Sequence, residues 1–392
     1  AGKTPLFGWI DTPNHLAVPR EFIPVSEYPD QDFDIVDINY GHFPSVDFNA
    51  VSTLRDAAQK MSYLALVEDG SGILELACGK GKTVIALHAA AGLKLHTVVV
   101  VNEEGLAAQW KERILEHTDI AEEDIGWIQG KQENWRWEGK PVTIAIVNTL
   151  ANHAQDIPSD LILQTGIVIF DEVHILGAPY FNQVADMFRG RRWGLSATWR
   201  RSDGMEELYR YHLGPILYSN LEQDVIPQVY FIRTGIKMPK TVKERTALND
   251  KNGDLSVAKV HTWLSSHPER NGLIHRILDG SLELGRVILT LGERREQLAM
   301  FQMHYRGSGL ITGKVKGDKR LNALQDTNPV FAIARIAKQG LDRKALNTVV
   351  IIHPFKDEGR FRQIMGRAQR MTEDKDSENG FPLIFILEDE FI

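Results

Sequence analysis

Residues 73–87 read I-L-E-L-A-C-G-K-G-K-T-V-I-A-L. The apolar run from Ile73 to Leu76 predicts a strand, and the run from Val84 onward predicts a helix. The segment between them, Cys78-Gly79-Lys80-Gly81-Lys82-Thr83, has the make-up of a phosphate-binding loop. Gly79 and Gly81 let backbone N–H groups turn inward around an anion, and the following helix adds a partial positive charge at its N-terminus. In such a loop the Lys82 ammonium reaches the outer phosphates and the Thr83 hydroxyl holds Mg²⁺. The general pattern G-x-x-x-x-G-K-[ST] would put its first glycine where Leu76 stands.

Hydrolysis needs more than a phosphate cradle: a second carboxylate for the metal and a base for the attacking water. Gly166 to Phe170 is strand-like and runs directly into Asp171-Glu172-Val173-His174. Open α/β sheets bind ligands at the carboxyl ends of their strands, where these acids fall. Asp171 is therefore read as holding Mg²⁺ through water, and Glu172 as the base that orients and deprotonates the attacking water. A solvated acidic turn is the plain alternative.

The surrounding chain alternates in the same way. Leu54 to Val67 and Glu104 to His117 predict helices; His96 to Val101, Val142 to Val147 and Trp193 to Ala197 predict strands. After a link near Leu213 to Pro227, strands are expected at Arg286 to Leu291, Val330 to Ala334, Thr348 to His353 and Pro382 to Leu387. Thr241 to Gly253 reads as a polar loop. Strands alternating with helices of this length indicate mainly parallel sheets covered on both faces, arranged as two tandem α/β domains.

Residues 1–50 are proline-rich and carry eight acidic against two basic side chains, which marks a small accessory segment. The rest holds 43 basic against 44 acidic groups, a near-neutral body that can still present a basic stripe to nucleic acid. No apolar run approaches the roughly 20 residues of a membrane span and no signal-peptide pattern opens the chain, so no membrane partner and a cytoplasmic compartment are expected. Cys78 is the single cysteine, which excludes an internal disulfide framework and a cysteine-based zinc cluster. Two aromatic-basic clusters, Trp135-Arg136-Trp137 and Arg189 to Trp193 with Trp199-Arg200-Arg201, offer stacking surfaces for bases. Tryptophans in a folded core serve without any ligand.

The D-E-V-H run at Asp171 to His174, followed by G-L-S-A-T at Gly194 to Thr198, resembles the superfamily 2 helicases and translocases. Within that superfamily, F-D-E-V-H-I-L-G-A, G-L-S-A-T-W-R-R-S-D and L-G-P-I-L-Y at Leu213 to Tyr218 resemble the XPB-like group and phage helicases of the UvsW type. The resemblance covers Val51 to Leu387. These helicases commonly shorten the loop to x-x-G-x-G-K-[ST], so Leu76 reads as the end of a strand.

The resemblance implies roles for further residues. Arg55 and Gln59 would approach the adenine. His174, Ser196 and Thr198 would couple the nucleotide site to the nucleic acid, which Asn102, Thr149, Arg200, Arg201 and Gly313 would contact. Arg201-Ser202-Asp203 stands where XPB-like proteins carry Arg-Glu-Asp, with serine in place of glutamate. Gln363-Ile-Met-Gly-Arg367-Ala-Gln-Arg370 matches the family's Q-x-x-G-R-x-x-R, which makes Arg367 and Arg370 arginine fingers and Gln363 a coupling residue. In Gln339-Gly340-Leu341-Asp342, Asp342 would approach the ribose and Gly340 would permit close backbone contact. Ile333 stands where many relatives have a threonine that bonds the nucleic-acid backbone.

The expected protein is thus α/β, with two tandem RecA-like domains with parallel sheets at 51–217 and 218–392 behind an accessory segment at 1–50. The expected activity is that of an ATP-dependent DNA helicase or translocase using Mg²⁺ and acting on duplex, forked or branched DNA. An RNA helicase of the same superfamily is the first alternative. A nucleotide-switched nucleic-acid-binding module without helicase activity is the second.

Overall fold

The structure is a computed structural model that describes residues 10–11, 16–17, 21, 43–173, 176, 179–197, 206–222, 226–312, 327–334, 345–353, 361 and 381–390, of which 179–182, 206, 208 and 209 are described by backbone alone. The chain divides into two compact units, Ala1–Glu222 and Gln223–Ile392.

In the first unit, β1 (Ile10–Asp11) and β2 (Leu16–Ala17) form a short antiparallel pair. The main body runs through α1 (Ala57–Glu68), β3 (Gly72–Leu76), α2 (Lys82–Leu93), β4 (Thr97–Val101), α3 (Glu104–His117), β5 (Ile125–Ile128) and β6 (Val142–Ile146). It continues through α4 (Val147–Asn152), α5 (Ser159–Gln164), β7 (Ile167–Asp171), α6 (Pro179–Met187), β8 (Arg191–Ser196), α7 (Glu206–Leu213) and β9 (Ile216–Asn220). Seven strands form one sheet in the order β5-β6-β4-β7-β8-β3-β9. Every pairing in it is parallel. The four valines of β4 are fully buried, as a central strand covered on both faces requires. Helix α1 begins three residues later than its apolar pattern suggests, because the Asp56 carboxylate caps it by accepting the Gln59 N–H at 2.9 Å. Strand β9, read from sequence as link, pairs with β3 and carries the first unit on to Glu222.

The second unit contains β10 (Gln228–Arg233), α8 (Val242–Ala247), α9 (Val257–Ser265), α10 (Pro268–Glu283), β11 (Ile288–Gly292), α11 (Arg295–His304), β12 (Gly309–Ile311), β13 (Val330–Ile333), β14 (Thr348–Ile351) and β15 (Leu383–Glu388). Its six described strands are again parallel, in the order β10-β15-β14-β11-β13-β12. Ile274 and Leu278 of α10, Phe301 of α11 and Phe331 of β13 meet in its core. A fully buried ion pair ties α10 to the end of β15: Arg270 Nε donates to Asp389 Oδ1 at 2.9 Å, and Nη2 donates to Oδ2 at 3.0 Å and to the Ile352 carbonyl.

Three expectations are corrected by packing. Thr241 to Gly253 is not all loop: Thr241 caps α8, its hydroxyl accepting the Glu244 N–H at 3.3 Å and donating to Glu244 Oε2 at 2.6 Å. Trp135 and Trp137 are not stacking platforms, since both lie in the core with Leu150, Ile157 and Leu161. Arg191, Arg192 and Trp193 are likewise spent on structure at the amino end of β8. Arg191 donates to the Val67 carbonyl at 2.6 Å, Arg192 to the His212 carbonyl at 2.8 Å, and the Trp193 indole to the Gly70 carbonyl at 2.7 Å. Trp199, Arg200 and Arg201 lie outside the described residues.

One buried histidine gives the first unit a measurable acid sensitivity. His96, 5% exposed, sits between Thr143 and Thr165, whose hydroxyls lie 3.4 and 3.3 Å from its two ring nitrogens. Burial lowers its pKa from 6.5 to about 4. The unfolded chain therefore binds a proton between those values that the folded chain refuses, and stability present above pH 6.5 is lost as the pH falls toward 4. From the shift, His96 alone should remove about 2 kcal/mol between pH 7.5 and pH 5. His96→Gln, which keeps hydrogen-bonding capacity without the charge, should flatten the pH dependence of the melting temperature over that interval. Identical pH profiles for the two proteins would refute the assignment.

Candidate nucleotide and nucleic-acid site

The site is built on the carboxyl ends of four neighbouring strands. In sheet order β4, β7, β8 and β3, these ends present Asn102, Asp171, Ser196 and the loop after Leu76. Register aligns them: Asp171 pairs with Leu195, and Glu75 pairs with Ser196.

The loop has the backbone its glycines predict. Gly79 and Gly81 have φ of 84° and 82°, in the left-handed region that side chains resist. A Cβ on Gly81 would also lie 2.5 Å from Gln59 Nε2. The Lys82 ammonium donates to the Leu76 carbonyl at 2.8 Å and to the Ala77 carbonyl at 3.3 Å, which fixes its stem along the loop and leaves a third proton for a phosphate oxygen. Thr83 is half-buried in the first turn of α2, and Cys78 and Lys80 are half-buried in the loop itself.

Gln59 has a role that sequence reasoning did not supply. Its Oε1 accepts the Arg55 N–H at 2.8 Å, and its Nε2 donates to the Lys80 carbonyl at 3.0 Å, so it clasps the phosphate loop to the start of α1. Arg55 itself is exposed, with its guanidinium on Asp56 at 3.2 Å. A glutamine three positions past an aspartate cap was the available signal, but its partner 21 residues on was not visible in the sequence.

The carboxylates follow at the end of β7. Asp171 Oδ1 accepts the Glu172 N–H at 3.0 Å, and Oδ2 accepts the indole N–H of Trp110 at 2.8 Å. Burial, and then the neighbouring Glu172 charge, push Asp171 up to about 6, against the opposing pull of Trp110 and Lys82. The influence of Lys82 shows that the loop and the acidic pair share one electrostatic field. Glu172 has φ of 55°, a left-handed conformation uncommon for a residue with a side chain. The Thr83 hydroxyl and the Asp171 and Glu172 carboxylates offer oxygen donors only, and burial together with the neighbouring Glu172 charge outweighs the pull of Lys82 on Asp171. Both features fit a hard divalent cation.

Ser196 is fully buried between the ends of β3 and β7. Asn102 follows β4 with its side-chain oxygen buried and accepting no hydrogen bond. Thr149 is buried in α4 and its hydroxyl accepts the Gly130 N–H at 3.1 Å, which braces a turn within the domain. His174, Thr198, Gly313, Gly340, Asp342, Gln363, Arg367 and Arg370 lie outside the described residues. A cavity of about 660 Å³ lined by Glu21, Asp69, Ser71, Arg191 and Pro215 opens at the amino ends of the first unit's strands, the opposite pole of that sheet from Asp171 and the loop after Leu76.

Known proteins are similar to this chain along most of its length. Residues 48–201 match the family described as type III restriction enzyme, res subunit. A protein of Acanthamoeba polyphaga mimivirus named as an ATP-dependent RNA helicase, L396, is 27% identical over 92% of this chain and 69% of its own length. The DNA 3'-5' helicase XPB of Mycobacterium tuberculosis is 30% identical over 68% of this chain and 53% of its own length. Helicase D10 of Escherichia phage T5 is 23% identical over 76% of this chain and 64% of its own length. The chain thus spans between about half and two thirds of the length of these relatives. With a ResIII-type first domain, two parallel α/β units and relatives of this kind along most of its length, the chain is related to the superfamily 2 helicases on the branch of the XPB-like and phage helicases.

Proposed function

We propose that this protein couples ATP hydrolysis to movement on, or remodelling of, duplex, forked or branched DNA. The observation that carries the reading is the convergence of the Gly81-Lys82-Thr83 loop and the Asp171-Glu172 pair on the carboxyl ends of β3 and β7, the two strands that flank β8, close enough for Lys82 to act on Asp171. Backbone N–H groups of Gly79 to Thr83 and the Lys82 ammonium hold the β- and γ-phosphates. Thr83 and Asp171 would hold Mg²⁺, which when bound neutralises phosphate charge. Glu172 orients a water on the γ-phosphate and takes its proton. Arg367 and Arg370 of the second domain supply charge to the transferred phosphoryl, so that nucleotide binding draws the two domains together and hydrolysis releases them.

DNA is assigned as the track because the M. tuberculosis relative is named as a DNA helicase. One observation favours a second reading, an RNA helicase: the mimivirus relative, matched over 92% of this chain, is named as one. ATP turnover measured with single-stranded, duplex, forked and four-way DNA, and with matched RNA, decides between them. Duplex or branched DNA is expected to stimulate hydrolysis more than RNA. Greater stimulation by RNA would transfer the assignment to the second reading, and absence of turnover with every polymer would reduce the protein to a nucleotide-switched binding module.

A further inference from the structure

We propose that Trp110 is a positioning residue for catalysis: its indole N–H fixes the Asp171 carboxylate in the orientation that receives the nucleotide-bound metal. The proposal rests on the reading of Asp171 as the carboxylate that holds Mg²⁺.

Trp110 lies midway along α3 and is 1% exposed, packed in the core with Ala107 and Ile114 of its own helix and Val99 and Val101 of β4. Filling that space asks only for a large apolar ring, which Phe or Leu also provide. It does not ask for a polar hydrogen directed at an acid. Yet the Nε1–Oδ2 distance to Asp171 is 2.8 Å, while the second oxygen takes the Glu172 N–H at 3.0 Å. Each carboxylate oxygen thus has one N–H donor, from two different elements, α3 and the turn after β7. Two donors on two oxygens fix both the rotation and the tilt of the carboxylate plane, which a single donor cannot do. Trp127 and Trp193 give their N–H groups to neutral carbonyl oxygens of Gln129 and Gly70. Trp110 gives its own to a carboxylate of the site.

The chemistry of indole suits this task. It is a donor only, so it neither takes a proton from Asp171 nor competes with it for a cation. Its ring has two rotatable bonds and is held on all sides, so the donor is preorganised. Groups that orient a metal's carboxylate from behind typically alter metal affinity by about 10- to 100-fold when lost. Helix α3 also follows Asn102, so the same bond joins the segment expected to meet nucleic acid to the acid expected to meet the metal.

The test uses the 392-residue chain as wild type, Trp110→Phe, Asp171→Asn and the double variant. Binding of a fluorescent ADP is measured in EDTA and across a Mg²⁺ titration, and direct Mn²⁺ binding is followed by electron paramagnetic resonance. Trp110→Phe is expected to bind nucleotide in EDTA as the wild type does, and to require about 10-fold more Mg²⁺ to reach the metal-dependent affinity. Asp171→Asn should shift the requirement at least as far, and the double variant no further than Asp171→Asn alone. A Mg²⁺ requirement within two-fold of wild type for Trp110→Phe, beside a shifted Asp171→Asn, overturns the proposal and leaves Trp110 as core. Additive shifts in the double variant overturn it too, because Trp110 would then act elsewhere than through Asp171. An unshifted Asp171→Asn refutes the parent reading of the metal site instead. Should Trp110→Phe fail to fold, benzothienylalanine at position 110 preserves the two-ring shape and removes only the N–H, and is judged by the same criteria.

Discussion

Replacing Lys82 with alanine is expected to lower ATP turnover by at least about 100- to 1,000-fold, the cost of losing one preorganised group that stabilises developing charge, while the chain stays folded. Lys82 makes two hydrogen bonds in the structure, both to carbonyls of its own loop, at Leu76 and Ala77. It is only half-buried, so water can replace it at those carbonyls, and the loss of stability should stay within about 1 to 2 kcal/mol. The loop shape does not depend on it, because the turn is set by Gly79 and Gly81 and by the Gln59 clasp on Lys80. What disappears is the only cation this loop directs both at the phosphates and into the field of Asp171. Turnover and circular dichroism on one preparation check the prediction. Hydrolysis at the wild-type rate in a folded variant would remove Lys82 from the site, and an unfolded variant would show that its role is structural.

The parts of this site legible in the sequence were those whose chemistry is local. A strand, a glycine turn and a helix start lie within fifteen residues at 73–87, and the structure brings them to the strand end where the motif predicts. Asp171 and Glu172 were legible for the same reason: an apolar strand followed at once by two acids. The buried strands of both units were legible because parallel strands covered on two faces need unbroken apolar runs, as in Thr97–Val101 and Thr348–Ile351. The partnerships that hold the site in shape were not. Gln59 and the Lys80 carbonyl, Trp110 and Asp171, Thr149 and Gly130 are contacts made by folding, and nothing in the spacing of either partner announces the other. The tryptophans of Trp135-Arg136-Trp137 were ambiguous for a related reason, since a ring buried in a core and a ring offered to a base read alike. Strand β9 was missed because its burial is partial and its sequence ends in polar Ser219-Asn220. Helix α8 was missed because it is short and polar, although Thr241 and Glu244 held the signature of its cap.

Glu172→Gly is expected to abolish hydrolysis and, at the same time, to raise the melting temperature. The first effect follows from removing the base on the attacking water, a contribution of about 100- to 10,000-fold. The second follows from the backbone. Glu172 is held at φ 55°, a left-handed conformation that costs a residue with a Cβ about 1 to 2 kcal/mol and costs glycine almost nothing. Glycine also carries more freedom in the unfolded chain, which returns about 0.5 to 1 kcal/mol of that gain. Loss of the Glu172 charge removes one of the two influences that push Asp171 up, and so favours the folded state further. The net expectation is a stabilisation of about 1 kcal/mol, or about 2 to 4 °C for a domain of this size. Glu172→Gln separates the two causes, because it removes the charge and keeps the strained Cβ. If the backbone is the source, Glu172→Gly melts above Glu172→Gln and both are inactive. If the two melt together, the gain is electrostatic and the left-handed turn carries no strain. If Glu172→Gly melts below wild type, the side chain holds the turn, and the conformation is a consequence of its contacts and not a cost borne for catalysis. The first outcome is favoured by position: strain of this kind persists where the surrounding structure over-determines the backbone, and here β7 on one side and the Asp171 carboxylate, which accepts the Glu172 N–H, do so.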